Sequence, residues 1–404
     1  METVDQYLSA VLEKLKSDGN VAIIYAGNPN DAGTVQFKSH NPRHWKSYRS
    51  VAEDIQNALK LLGFRNLFLL EESMLLPARL KNLKIDFAWL NTAGVQGVDS
   101  SCHCAALLES LGIGYVGHTP ANVALMDNKH LFKIHLLSQG VRTAPYMVWR
   151  PEDDVRSNLN STLDRFIQEL KEDEQFEDST KFVVKPVCGR ASNHIFIADS
   201  IEEARELSRR VFTETGNTVL IEPFLSGKEF CISVMGGRSG VRDNERGWEF
   251  KQDSYACCFG QFERRLEDPN GIFTSMDIRP IGRDTIKVLS ESSESAVLGN
   301  INTIARTIFR NLGIYSVIRI DLRMNKSGHL YVLEANPKPD LRAPSDEATS
   351  LVSMGLGQLG ISYEQMILNQ IINTLAHFHL YRKSIAYRLL TLDRSTCSLA
   401  VGKN

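Results

Sequence analysis

Short apolar runs separated by amphipathic stretches recur along the first quarter of this chain. Residues 1–20 (METVDQYLSAVLEKLKSDGN) carry apolar side chains at helical spacing, and residues 21–27 (VAIIYAG) form the unbroken apolar run of a buried strand. A helix over about 46–62, the run LFLLEE and the strand 85–91 (IDFAWLN) follow. Strands alternating with helices predict an α/β fold opening with a doubly wound parallel sheet domain over residues 1–117. Ligands of such sheets lie at the carboxyl ends of the strands, so loops 28–33 and 91–97, the second starting at Asn91, are candidate substrate loops. The first of these loops lacks GxGxxG, which argues against a dinucleotide fingerprint.

Further along, NVALMDNKHLFKIHLLSQGV predicts a helix opening near Asp127 and closing at Gly140, with Lys129 and Lys133 one turn apart; Lys133 reads as part of a solvated face. The stretch KFVVKPVCGRASNHIFIA is a strand ending in Lys185 and Pro186, a loop of small residues and a second strand. Small residues let backbone N–H groups approach an anion, and a lysine at the strand end adds charge. In TVLIEPFLSGKEFCISVM, Glu222 ends a strand before Pro223 and Glu229 follows a turn later. Residues 238–285 are polar and interrupted by Gly and Pro, which predicts a long loop or lid.

The most informative pattern is SVIRIDLRM, a polar break NKSGH, and LYVLEANPKPD. It reads as a hairpin with Arg319 opposite Glu334 and Asp321 opposite Val332. Period-two alternation then puts Arg319, Asp321, Glu334 and Asn336 on one face and Ile318, Ile320, Leu322, Leu333 and Ala335 on the other. Two carboxylates held together repel unless a cation lies between them, and an all-oxygen set suits Mg²⁺ or Mn²⁺ rather than zinc. Magnesium held by few protein ligands completes its shell with water and substrate phosphates, so the hairpin calls for a phosphate-bearing partner.

Composition narrows the reading. A length of 404 residues accommodates two to three domains, and 46 basic against 48 acidic residues argue against a nucleic-acid binder. No apolar run reaches membrane-span length and the acidic N-terminal helix is not a signal peptide, so a cytoplasmic protein with no membrane partner is expected. Seven cysteines, an odd number, fit reduced thiols better than a disulfide framework. Cys102, His103 and Cys104 lack a second ligand pair at zinc spacing, and Cys257 and Cys258 earn the same reading as incidental thiols.

In this order and spacing, MDNKHLFK, FVVKP, VLIEPFLSGKEF and RIDLRMNKSGHLYVLEANPKP resemble the ATP-grasp superfamily, and most closely its D-alanine–D-alanine ligase branch. LLESLGIGYVGH, residues 107–118, is similar to the segment through which those enzymes enter their central domain. The resemblance implies a two-lobed ATP-grasp fold (α+β) after the first domain: a central lobe over 118–218, a C-terminal lobe with the metal hairpin over 219–375, and an extension over 376–404. It implies that Lys129 and Lys185 contact ATP phosphates, that Ser192 lies in the loop covering them, that Glu222 and the Leu225 backbone hold adenine, and that Glu229 takes the ribose hydroxyls. Asp321, Glu334 and Asn336 match the family's magnesium ligands, in agreement with the hairpin face, Arg319 matches the arginine that stabilises the transferring phosphoryl group, and Ser345 falls where a serine touches the second substrate. The implied activity is ATP-dependent, ADP-forming joining of a carboxylic acid and an amine through an acyl phosphate, by an enzyme whose relatives are commonly homodimers.

The departures from the family pattern gather at the substrate. Where the ligases read EANTSPGM this chain reads EANPKPDL, with Lys338 for a serine and Asp340 for a glycine. A carboxylate there would repel that of D-alanine, which predicts a different acid and amine recognised by Lys338 and Asp340. Ala191 and His194 replace a serine and a glycine of the phosphate loop, Asn91 stands where a histidine is usual, and the glutamate that meets the first amine has no counterpart. Two other readings remain open at this level: an ATP-grasp kinase or carboxylate–thiol ligase, and a non-catalytic ATP-binding regulatory protein.

Overall fold

The computed structural model describes residues 3–28, 30, 47–97, 99–155, 159–176, 179–189, 193–243, 245–265, 271–272, 285–345 and 349–392. The first helix, Val4–Ser17, opens with a capping box in which Thr3 and Gln6 satisfy each other's backbone N–H groups, and it buries Tyr7, Leu8, Val11, Leu12 and Leu15 along one stripe. Strands β1 (Asn20–Ala26), β2 (Asn66–Glu72), β3 (Phe87–Asn91) and β4 (Gly114–Val116) form a parallel sheet in the order β2-β1-β3-β4. Helices cover both faces, which is why the inner strand β1 is almost wholly apolar.

Glu72 ends β2 buried on the face shared with Cys104, and accepts a hydrogen bond from the Thr92 hydroxyl. Burial pushes its carboxyl from 4.5 to about 7, against the smaller opposing pull of that hydroxyl. A raised carboxylate favours the folded state below the unfolded value, and that contribution is lost as pH rises through the folded one. Urea unfolding is therefore expected to show the parent losing up to about 3 kcal/mol between pH 4.5 and 7 from this group, a loss that Glu72→Gln removes.

A second, antiparallel sheet follows, β5 (Met147–Trp149), β6 (Phe182–Pro186), β7 (Phe196–Ala198) and β8 (Val219–Pro223), in the order β5-β8-β6-β7. The third has the order β11-β10-β9-β12-β13, from β9 (Glu229–Asp243), β10 (Gly247–Arg264), β11 (Ile286–Val288), β12 (Ile318–Met324) and β13 (Leu330–Asn336). Residues 238–243 and 247–264, expected as loop or lid, instead form most of the long β9–β10 hairpin. Its tip lies against the first helix: Arg238 pairs with Asp5, and Arg242 and the Trp248 indole N–H both reach Glu13, each at 2.7 Å. Most of the remaining predicted lid lies outside the described residues.

Helix Tyr363–Tyr381 is buried along nearly its whole length between the first and third sheets, and one apolar cluster runs from Ile23 through Ile371 to Met235. Among the described residues no helix is long and apolar enough to cross a membrane.

Candidate active site

Helix Pro120–Asp127 ends because Asn128 adopts an extended backbone (φ −92°, ψ 102°), and the Asn128 side chain then accepts the Leu131 N–H to open helix Lys129–Ser138. Lys129 is the first residue of that helix. Its backbone N–H donates to the Val187 carbonyl at 2.9 Å, and its ammonium reaches the Gly189 carbonyl at 3.1 Å and Glu334 Oε2 at 3.3 Å. One turn on, Lys133 is fully buried, which overturns its reading as a solvated lysine. Its ammonium donates to Thr143 Oγ1 at 2.7 Å and pairs with Glu222 Oε2 at 2.8 Å, while Lys185 of β6 holds Glu222 Oε1 from the neighbouring strand. Burial pulls Lys133 down to about 8 despite Glu222. Burial alone would raise Glu222, but Lys133 and Lys185 outweigh it and hold the carboxyl at about 2.

The hairpin of β12 and β13 carries the polar face that alternation predicts, in a different register. Arg319 stands opposite Asn336 and Asp321 opposite Glu334, and a bulge then pairs Leu322 with Val332. The extra residue is Leu333, which lines the cleft instead of joining the core face. Arg319 donates through Nε to Asp321 Oδ1 and through Nη2 to Oδ2, both at 2.9 Å. From β10, Arg264 donates through Nη2 to Asp321 Oδ1 and through Nη1 to Glu229 Oε1, both at 3.0 Å. Arg323 reaches Glu229 Oε2 at 3.5 Å and lies over the Phe224 ring, 4.6 Å from its centroid. Burial would raise Asp321, yet Arg264 and Arg319 bring it below the usual carboxylate range, whereas for Glu229 burial prevails and the carboxyl is raised.

Gly227 is required where the 222–229 segment meets the end of β12, because a Cβ there would lie 2.7 Å from the Met324 and Asn325 carbonyl oxygens. These elements border an open cleft with about 650 Å³ of space, part of it continuous with solvent, lined by Lys129, Lys185, Glu222, Leu225, Glu229 and Asp321 among others. Glu334, Arg264 and Arg323 also line it. Sequence reasoning passed over the last two. Arg323 continues the Arg319–Asp321 alternation and was legible; Arg264 lies in a stretch without a clear period.

Two of the substrate candidates meet on Tyr48. Asn91 donates to the Tyr48 carbonyl at 2.9 Å, and the Lys338 ammonium lies 3.3 Å from the Tyr48 ring centroid. Asn336 Oδ1 accepts the Lys338 N–H at 3.1 Å, and Asp340 Oδ1 accepts the Arg342 N–H at 3.0 Å. Ser345 is exposed beyond them, and Ser192 and Ala191 lie outside the described residues. His194 adopts φ +57°, the left-handed conformation that suits the glycine it replaces, and pairs with Glu214 at 3.3 Å.

A family model described as D-ala D-ala ligase C-terminus matches residues 136–373, more than half of the chain. The chain belongs to this family. It is an ADP-forming ATP-grasp ligase of the D-alanine–D-alanine ligase-like kind. The D-alanine–D-alanine ligase of Aquifex aeolicus is 24% identical over 323 residues, covering 78% of this chain and 90% of that protein. The D-alanine–D-alanine ligase A of Bacillus cereus is 26% identical over 305 residues, covering 76% and 85%. Among solved structures, the D-alanine–D-alanine ligase from Bacillus anthracis complexed with ATP matches with a TM-score of 0.61 at 18% identity, over 88% of this chain and 97% of that one. The VanG D-Ala:D-Ser ligase from Enterococcus faecalis matches at 0.59 and 15% identity, over 89% and 100%. These likenesses show the mixed α/β ATP-grasp fold. They give no support to the exclusion of D-alanine drawn from Asp340, one of whose carboxylate oxygens is engaged by its own loop.

Proposed function

We propose that this chain joins a carboxylic acid to an amine, both of amino-acid type, using ATP and a divalent cation. The convergence of Lys129, Lys185, Glu222, Leu225, Glu229, Asp321 and Glu334 on one cleft carries this reading. Two lysines, Lys129 and Lys185, and a hydrophobic segment, Pro223 to Leu225, line that cleft, a set that accommodates phosphates and a planar base. The substrate carboxylate oxygen attacks the γ-phosphorus, the bond from the β,γ-bridging oxygen to that phosphorus breaks, and ADP leaves with the electron pair. The amine then attacks the acyl carbon, loses a proton, and expels phosphate to leave an amide. Positioning and charge neutralisation by Lys129, Lys185 and Arg319 supply the catalysis, without a nucleophilic side chain.

The donor set fits Mg²⁺ or Mn²⁺. Asp321 and Glu334 face one another in register, Asn336 lies next along the same face, and all three offer oxygen. Those three residues would hold the ion, which would neutralise phosphate charge.

The two substrates are taken to meet where Asn91, Tyr48 and Lys338 converge, with D-alanine and D-serine among the first to try, since relatives are named for them. The test is phosphate release from Mg²⁺-ATP against pools of amino acids and small organic acids. Phosphate and ADP appearing only with a particular pair, and a product lighter than their sum by one water, is the expected result. A phosphorylated product without free phosphate would replace this reading with a kinase.

A further inference from the structure

Asp321 is more heavily engaged than a waiting metal ligand needs to be. A carboxylate has about four lone-pair directions, and three of those on Asp321 already accept guanidinium N–H groups. Arg264 takes one of them at 3.0 Å, from β10 and over the intervening β9 of the same sheet, while its other terminal nitrogen is anchored on Glu229 at the same distance. Among the described residues, three guanidinium groups, Arg264, Arg319 and Arg323, gather on two carboxylates, Asp321 and Glu229. Glu334, the second candidate ligand, is paired with Lys129. A free divalent cation arriving here meets guanidinium groups at close range and acceptors already occupied.

We infer that Arg264 is a built-in counter-cation that keeps the Asp321 site closed to a free divalent ion and yields it when nucleotide phosphates enter the cleft. The inference rests on the reading of Asp321, Glu334 and Asn336 as metal ligands. Phosphate oxygens bring negative charge, and Arg264 can turn from Asp321 toward them while Glu229 holds its other nitrogen. Arg264 lines the cleft, so its guanidinium has a short path to such an anion. The metal then enters with the nucleotide, and the empty enzyme does not collect stray cations. Arg264 acts through Asp321, as a positioning residue.

The test uses Mn²⁺ as the probe, followed by loss of the free-ion paramagnetic resonance signal, on the full chain. With Mn²⁺ alone, Arg264→Gln is expected to bind at least about ten-fold more tightly than the parent, because a positive charge has left the site, while Arg264→Lys stays as weak as the parent. With a β,γ-imido analogue of ATP added, the parent is expected to tighten by at least about ten-fold, and the gap to Arg264→Gln narrows. The analogue chelates Mn²⁺ by itself, so each titration is read against the analogue without protein, and Arg264→Met serves as the second neutral variant if Arg264→Gln does not fold. Equal Mn²⁺ affinity of the parent with and without the analogue overturns the proposal, as does equal affinity of parent and Arg264→Gln for Mn²⁺ alone. Asp321→Asn separates the two levels. If it weakens Mn²⁺ binding in the presence of the analogue, the metal site stands whatever Arg264 does; if it changes nothing, the ligand reading fails and this proposal with it.

Discussion

Arg319→Ala is expected to lower turnover by roughly a thousand-fold or more while leaving the nucleotide bound, the range seen when an arginine is removed from a transferring phosphoryl group. Arg319 is half of a bidentate pair with Asp321 on the polar face of the β12–β13 hairpin, beside the residues that line the cleft. In the proposed reaction, negative charge develops on the phosphoryl oxygens and later on the tetrahedral carbon, and a fixed guanidinium stabilises that charge without reorganising. The loss should fall on kcat rather than on affinity for ATP, because Lys129 and Lys185 remain for the ground-state phosphates. The variant should also fold, since Arg264 still satisfies Asp321 when Arg319 is gone. Phosphate release and titration with the imido analogue, run side by side, give the answer. A raised KM for ATP with unchanged kcat would mean that Arg319 only binds the nucleotide, and its proposed part in the chemistry would be lost.

How much of this site was legible in the sequence depended on whether the signal was local. The polar face of the metal hairpin was legible because strand alternation survives any register in which the two strands pair face to face, so Arg319, Asp321, Glu334 and Asn336 emerge together although their partners were misassigned. The bulge at Leu333 shifts the register by one residue and leaves no mark in a stretch as regular as LYVLEAN. Lys133 failed for a different reason. A lysine is buried only with a partner, and Glu222 lies far along the chain on β8, so one helix's periodicity cannot distinguish a solvated lysine from a paired one. The β9–β10 hairpin was hidden by its composition, since Gly236, Gly237 and Gly240 are needed where Asn373, Ser254 and Phe250 approach the backbone, and glycines inside a strand read as loop. Arg264 was lost with it, because a residue whose meaning comes from two carboxylates on other strands has none in its own segment.

The second large effect expected is on stability. Glu222→Leu removes the carboxylate that, among the described residues, pairs with two buried ammonium groups, Lys133 at 0% and Lys185 at 5% exposure, and should cost about 3–5 kcal/mol of unfolding free energy without nucleotide. The cost arises from what stays behind: two like charges side by side, Lys133 fully buried and Lys185 nearly so. Lys133 sits near 8 even with its carboxylate, below its ordinary 10.5, and without Glu222 its ammonium becomes harder still to keep. A lysine whose folded value is depressed penalises folding at low pH, and the penalty is relieved as pH rises toward the unfolded value. Urea unfolding should therefore show the variant recovering stability as pH rises from below 8 toward 10.5. For the parent, Glu222 contributes stability above 4.5 that is lost as pH falls through about 2. Combining Glu222→Leu with Lys133→Met should restore part of the loss, because the second change removes one of the stranded charges and the two residues are in direct contact. If Glu222→Leu alone lies within about 1 kcal/mol of the parent at neutral pH, the size of a surface substitution, then water or another group already screens both lysines, and Glu222 is tuned for the nucleotide rather than for the fold.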